Sequence, residues 1–435
     1  MTRDDRKVAF LLGGFGFLAL AGLGHHTWGT VDAIERLAVT RSVLTSGSVI
    51  TPEFGPVKYG PLQSVLMLPT YALGYGIGAL TKAGDPDRVG YRVTAFLFTP
   101  LLVSFLLALW YGSARRWGFT PPIAAAGAWT LLWCTLVMPY SRLMFSDLLS
   151  ATMLFAGATC LLVPAEESPR SAGFFYLGAA ALNYAIFLPL LFVAAVAAPF
   201  REWRRSRPSL ARRTAVVASS SLALTIACWV TYNLARYGIA TQFGYMGEGF
   251  STPVLRGLYG LLASPGRGLI YYSLPTAVAL VFSIRSVSEG RSPHRSRVAL
   301  TLAAFLSYLV LYAHWGSFEG GWCWGPRFLL PFVPLLHLAL LPMVSRRRLL
   351  FAAVSFAGFL VNAWEYSTEW QAYEKATFGD GRIDYVRSIF ELQSVSALHG
   401  FAGSATVGRF LQFLGVAALT SWLLVAAGRR AARTS

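Results

Sequence analysis

Three residues in the stretch WGTVDAIERLAVTRSVLTSGSVITPEFGPVKYGP, from Trp28 to Pro61, have types that can do chemistry. Asp32 and Glu35 follow the first apolar run, and Lys58 immediately precedes a Tyr-Gly-Pro turn. A carboxylate can take the proton of an attacking hydroxyl. A lysine or arginine can hold phosphate through charge-assisted hydrogen bonds. Charge close to hydrocarbon is costly unless it has a partner, a watery cleft or a task. Taken alone, the two acids read equally well as solvated residues of a loop, so their meaning depends on the elements around them.

Those elements are membrane helices. Of 435 residues, 55% are hydrophobic and 13% charged, where a soluble domain has about 25% charged. Many apolar runs approach ~20 residues, enough to cross a bilayer. The expected fold is an all-α polytopic membrane protein. The net charge of +17 does not signal nucleic acid. The arginines sit in short loops between apolar runs, as in cytoplasmic loops, with anionic lipid as a neighbour. Cys134, Cys160 and Cys228 lie in apolar runs, Cys323 has no evident outer partner, and no Cys/His metal spacing occurs. No cofactor is assigned, and a divalent metal has no motif to support it. MTRDDRK followed by an apolar core resembles a signal segment, but no small-residue cleavage site precedes His25, so it is expected to remain as an anchor.

The positive-inside rule then gives about twelve crossings with both termini cytoplasmic. These are 8–26, 91–112, 119–138, 147–163, two short helices within 173–200 that meet at Asn183-Tyr184, 214–234, 269–284, 298–313, 328–344, 349–364 and 405–427. The strongest cytoplasmic signal is REWRRSRPSLARR at 201–213. Counting 61–80 as a full crossing would put Arg115 and Arg116 outside. With Pro61, Pro69 and three close glycines, that segment is expected to be a broken or shallow helix at the outer face. The organisation reads as an N-terminal module, 1–234, holding the first outer loop 27–60. A second large outer loop, 235–268 (the fourth outer loop in order), follows, then C-terminal helices, 269–435, with an outer segment 365–404. No internal repeat is evident.

On this topology the outer face gathers Asp32, Glu35, Glu53, Lys58, Arg142, Asp147, Asn233, Arg236, Tyr245, Glu248, Arg267, His314, Glu319, Trp322 and Arg327. Any one of them, such as Arg142 or His314, is more simply an interfacial anchor or a structural ion pair. Together, with Gly-Pro turns such as SPGRG, they suggest a cleft. Its mixed charge suits a ligand with an anionic head and a polar partner, such as a sugar linked through phosphate to a long lipid. Phosphate leaves readily, so sugar transfer from it asks for a base and phosphate stabilisation rather than a carboxylate pair.

An Asp after the first helix, then Lys58-Tyr-Gly-Pro-Leu leading into an apolar segment, resembles the GT-C superfamily of membrane glycosyltransferases. The likeness is to the branch that includes dolichyl-phosphate-mannose-protein mannosyltransferases and lipid A aminoarabinose transferases. SRLMFSDLLSATMLFAG, LGAAALNYAIFLPLL, YNLARYG with FGY, LYGLLASPGRGLIYYSLP and GGWCWGPRFLLPFVPLL carry it in order over roughly residues 10–340, and little of it extends past 345. The resemblance implies a GT-C-like fold, Asp32 as the catalytic acid, Lys58 as a contact to the lipid phosphate and Asp147 as an acid near the cavity. Three positions depart from it. Asn183 stands where members often carry Lys or Arg, and Ala33 stands where mannosyltransferases have a second acid. Val57 replaces a metal-binding Glu of the aminoarabinose branch, so its zinc is not carried over.

The expected function is transfer of a sugar from a polyprenyl-phosphate donor to a glycan, lipid or protein acceptor at the outer side of the cytoplasmic membrane. Asp32 is the expected base, with Glu35 as substitute. Lys58 and Arg327 are the expected phosphate contacts, with Arg236 and Arg267 in reserve. Arg142, Asp147, Asn183, Tyr245 and Trp322 complete the substrate-binding set. Membrane lipids are partners and nucleic acid is not. The alternative is a transporter or flippase of a lipid-linked or anionic solute. Against it, most helices lack an ionisable residue at mid-depth, where coupled transporters keep their site. A third reading is a non-catalytic lipid-binding member of an envelope assembly.

Overall fold

The computed structural model describes residues 2–24, 30–82, 84–162, 170–245, 248–290, 294–321, 323–368 and 404–433. The expected outer segment 365–404 falls almost wholly outside them, as does Trp322. Among the described residues the secondary structure is helical, with two isolated β-bridges, Thr51 to Gly55 and Phe250 to Trp315. In chain order the longer helices are α1 Arg3–Leu23, α2 Val31–Ser46, α3 Pro61–Leu80, α4 Pro86–Arg116, α5 Pro121–Cys134, α6 Asp147–Leu162 and α7 Arg170–Asn183. They continue as α8 Leu188–Arg204, α9 Pro208–Tyr237, α10 Val254–Leu262, α11 Leu274–Ser288, α12 Arg295–His314, α13 Arg348–Ser367 and α14 Ser404–Arg433.

Among the described residues, eight helices or composite helices are long and apolar enough to cross a membrane. They are α1, α4, Ala185–Arg204, α9, α12, the composite Arg327–Val344, α13 and Thr406–Ala426 within α14. The shorter apolar helices α6 and α11 accompany them. Large apolar side chains on α8 and α9, including Phe192, Val196, Phe200, Val216 and Leu224, stand exposed, as lipid-facing residues do.

Two sequence expectations meet their physical explanation here. The polar step at Asn183-Tyr184 ends α7, where Tyr184 adopts extended backbone (φ −138°, ψ 120°). A 3-10 turn, Ala185–Phe187, then leads into α8. Residues 61–80, expected broken or shallow, form one continuous helix that absorbs Pro69. The chain before it is not simply loop either. Thr30 caps α2 by accepting from the Ala33 amide, and Gly47 closes it in the left-handed conformation (φ 68°).

The chain condenses into two compact units, each assembled from segments distant in sequence. One comprises Met1–His25, Pro100–Arg142 and Gly247–Ser435. The other comprises His26–Thr99 and Leu143–Met246.

In the first unit, several buried polar side chains bond across helices. Trp110 Nε1 donates to the Pro334 carbonyl (2.9 Å), and Asn362 Nδ2 donates to the carbonyls of Trp133 and Thr135 (2.9 Å each). With no water in hydrocarbon to replace such partners, these bonds fix helix register. In the second unit, α6, α7 and α9 pack through small residues. Ser221 Oγ donates to the Phe174 carbonyl (2.9 Å) and Trp229 Nε1 to the Ala181 carbonyl (2.8 Å). At the opposite end of α7 and α8 from the Asn183 break, buried Glu202 pairs with Arg170 at 2.7 Å.

Candidate active site

The second unit brings Asp32, Glu35, Lys58, Asn183, Arg236 and Tyr245 into one connected set of contacts. Asp32 stands in the first turn of α2, where unpaired amides and the helix dipole favour negative charge. Glu35 and Arg36 follow at i+3 and i+4, and so share its face.

Tyr59 is the direct link to Asp32. Its hydroxyl donates to Asp32 Oδ1 at 2.6 Å, a charge-assisted bond that orients the carboxylate. Burial, reinforced by Asp32, raises the Tyr59 phenol far above its ordinary range, so it remains a donor at any working pH. Glu35 is half-buried, and its carboxyl is also raised. Burial is the main cause and Asp32 adds to it, while Lys58 and Arg36 oppose it. Ionisation is therefore dearer for Glu35 than in water, which separates its role from that of its neighbour.

Arg36, which the sequence reading passed over, organises the floor. It is completely buried. Its Nη2 donates to Ser146 Oγ (2.8 Å) and its Nη1 to the Gly60 carbonyl (3.4 Å). The guanidinium lies 4.3 Å from the Tyr59 ring centroid and 5.7 Å from that of Tyr184. Asn183 joins the same joint, donating to the Ser146 carbonyl and to Ser150 Oγ, both at 2.8 Å. Asp147 is buried beside Ser146 at the start of α6. Asn183 thus fastens α7 to α6.

Lys58 is half-buried. Its Nζ lies 5.9 Å from the Tyr59 centroid and 5.4 Å from the Tyr245 centroid. The segment that carries it is gripped from α9. Arg236 Nη1 donates to the carbonyls of Val57 and Tyr59, the latter at 3.0 Å, and Tyr237 donates to the Val57 carbonyl at 3.0 Å. Arg236 Nη2 donates to Asn233 Oδ1 (2.6 Å), and the guanidinium lies 4.0 Å from the Tyr232 centroid. Arg236, expected as a reserve phosphate contact, spends these donors on holding the Lys58 segment.

Two glycines permit this close assembly. A Cβ on Gly60 would stand 2.2 Å from the Leu182 carbonyl oxygen and 2.6 Å from that of Asn183. Gly244 has φ +77°, and a Cβ there would fall 2.2 Å from the Tyr237 hydroxyl and 2.8 Å from Lys58 Cα.

The remaining expected residues belong to the first unit. Arg142 Nη1 pairs with buried Glu365 at 3.0 Å, and its guanidinium lies 4.4 Å from the Tyr366 centroid. Arg267, almost fully buried, donates through Nη1 to the carbonyl of Cys323 and, at 3.4 Å, to its sulfur. Arg327 is half-buried, with its guanidinium 4.9 Å from the Phe328 centroid. The two side chains of this contact set missed from sequence are Arg36 and Tyr59. A signal for Arg36 was present, because the Thr30 and Gly47 caps make 31–46 a helix and bring i+4 onto the face of Asp32.

In chemical terms, the second unit offers a carboxylate held by a phenol, a second carboxyl that keeps its proton more readily, and an ammonium on a clamped segment. The whole architecture has counterparts among solved structures. ArnT from Cupriavidus metallidurans in the apo state is 18% identical, with a TM-score of 0.57 over 94% of this chain and 74% of that one. The same protein bound to undecaprenyl phosphate is 17% identical, with a TM-score of 0.57 over 95% of this chain and 76% of that one. No protein-family model and no curated protein matches the chain. At this level of identity the likeness is one of fold. The chain is a multi-pass, all-α membrane protein with the fold of ArnT.

Proposed function

We propose that the protein is a membrane glycosyltransferase that moves a sugar from a polyprenyl-phosphate-linked donor to an acceptor at the outer side of the cytoplasmic membrane. The observation that carries this reading is the hydrogen bond from Tyr59 to Asp32, made by the residue adjacent to Lys58. It ties a candidate base and a candidate phosphate contact to one short stretch of chain. The ArnT fold supports the reading, and ArnT itself has been seen with undecaprenyl phosphate.

In this mechanism Lys58 binds the phosphate of the donor, and the developing negative charge on the leaving phosphate is stabilised there. Asp32 takes the proton of the acceptor hydroxyl as the new bond to the anomeric carbon forms. The sugar–phosphate bond breaks, and the polyprenyl phosphate leaves with the bonding electron pair. Glu35, with its raised carboxyl, is the weaker candidate for the base. Asp147 and Asn183 shape the floor, and Tyr245 flanks Lys58. Both termini are cytoplasmic, which puts α2 and the Lys58 segment outside.

The test is turnover by the purified full chain of undecaprenyl-phosphate-linked sugars, read as released undecaprenyl phosphate in the presence of an envelope lipid extract as acceptor source. Release that depends on Asp32 supports the reading. Movement of the intact lipid-linked sugar between leaflets, without cleavage, would establish the flippase instead.

A further inference from the structure

The Gly-rich loop after α12 contains a carboxyl that the proposed chemistry does not use. Glu319 is 2% exposed, and among the described residues no other residue donates a hydrogen bond to either of its carboxylate oxygens. Buried acceptors are nearly always satisfied, so such a pair calls for an explanation. Burial pushes this carboxyl up to about 7, against the pull of its own backbone amide first and of Arg267, Arg327 and Arg256 after it.

The loop is built to hold that group in place. Gly320 and Gly321 adopt left-handed backbone (φ +80° and +73°) directly after it. A Cβ on Gly320 would press on the Arg327 side chain at 2.9 Å. The Cys323 sulfur reaches back to the Glu319 carbonyl at 3.4 Å, and Arg267 donates to Cys323. Glu319 is therefore fixed from both sides while no side chain donates to its oxygens.

The neighbours decide which donors suit this carboxyl. Three arginines around one carboxyl repel a metal ion or an ammonium group, and among the described residues no three His, Cys, Asp or Glu side chains converge as ligands. Neutral hydroxyls fit: they donate to the carboxylate, while their own oxygens accept from guanidinium. Aromatic rings begin the same loop. Phe250, from the loop before α10 and 54% exposed, lies 5.9 Å in stacked geometry from His314 and 5.3 Å edge-on from Trp315, so the start of the Glu319 loop carries an exposed aromatic surface.

We infer that Glu319, supported by Arg267 and Arg327, forms a carbohydrate subsite that accepts hydrogen bonds from sugar hydroxyls, an inference that rests on the reading of the protein as acting on lipid-linked sugar.

The test uses the full chain in detergent with the methyl glycosides of mannose, glucose, galactose and arabinose, read by saturation-transfer NMR. The wild type is expected to bind at least one of them. Glu319→Gln should weaken that binding at least tenfold, and Glu319→Asp should do so less. Undecaprenyl phosphate binding should be equal in all three proteins, which also reports that the variants are folded. No glycoside binding by the wild type, or equal binding by the folded Glu319→Gln protein, overturns the inference. Should both variants fail to fold, a diazirine-bearing methyl glycoside photolysed on the wild type decides: adducts within 315–327 support the subsite, and adducts confined elsewhere remove it. The two readings fail separately. Loss of the subsite leaves undecaprenyl phosphate binding intact, whereas a wild type that binds glycoside at Glu319 but not undecaprenyl phosphate overturns the lipid-linked donor alone.

Discussion

The hydroxyl of Tyr59 donates to Asp32 Oδ1 across 2.6 Å, joining the turn that begins at Lys58 to the first turn of α2. The phenol holds its proton because it is buried and faces a carboxylate. In the proposed mechanism this bond sets the direction in which Asp32 receives a proton.

Removal of the base and removal of its positioner should therefore differ in size. Asp32→Asn preserves shape but cannot accept a proton, and is expected to lower the transfer rate ~10²–10⁴-fold. Tyr59→Phe removes one hydrogen bond to a charged group, roughly 1.5–3 kcal/mol, or about ten- to a hundredfold in rate. Steady-state turnover of both variants, with undecaprenyl phosphate affinity measured alongside, checks this. Full activity in Asp32→Asn would shift the base to Glu35.

Lys58→Ala should weaken donor binding by about 1.5–3 kcal/mol while the fold stands, because the backbone of its segment is held by Arg236 and Tyr237 rather than by the lysine side chain. Isothermal titration with undecaprenyl phosphate reads the affinity, and the thermal midpoint reads the fold. Unchanged affinity in a folded variant would make Lys58 an interfacial anchor.

Glu319 gives stability a pH dependence with a definite sign. Its folded-state carboxyl titrates at about 7 against an ordinary 4.5. Between those values the folded chain keeps a proton that the unfolded chain releases, so stability falls as pH rises through this window and levels off above it. The total is on the order of 3 kcal/mol. Thermal midpoints in detergent between pH 4.5 and 8 should show the decline in the wild type and a flatter profile in Glu319→Gln. Parallel profiles would mean that Glu319 ionises without cost.

Orientation is checked by accessibility. Ser46, Ser206 and Ser251 are all exposed side chains. Cysteines at Ser46 and Ser251 should react with impermeant thiol reagents in intact cells, and one at Ser206 should react only after the membrane is opened. Reaction at Ser206 in intact cells would invert the topology and place α2 in the cytoplasm.

Hydrophobic spacing made the membrane class legible, and a single polar step announced the break between α7 and α8. Amphipathic structure outside the membrane was harder to read. Helix α2 mixes Asp32, Glu35, Arg36 and Arg41 with short apolar residues and so lacks the contrast of a crossing; only Thr30 and Gly47 mark its ends. Charge type also proved a poor guide to charge use. Arg142 finds Glu365 far along the chain, and Arg36 finds Ser146 beyond three intervening helices. Such pairings leave no trace in local spacing, because they depend on which segments condense together. Interleaved units are hidden for the same reason.

The grip on residues 57–60 carries a consequence for how this chain can vary. Val57, Tyr59 and Gly60 each present a carbonyl to a side chain from another element, and Gly60 lies against the backbone of Asn183. One residue added or removed there would rotate every one of those carbonyls away from its donor and carry the Lys58 ammonium with it. Between Gly47 and Pro56 the chain is held by its own turns, such as the Thr51–Gly55 bridge, and by side chains of α2, where Ser42 donates to the Ile50 carbonyl and Arg41 pairs with Glu53. A residue inserted between Val57 and Pro61 is therefore expected to disturb the site more than one inserted between Gly47 and Pro56.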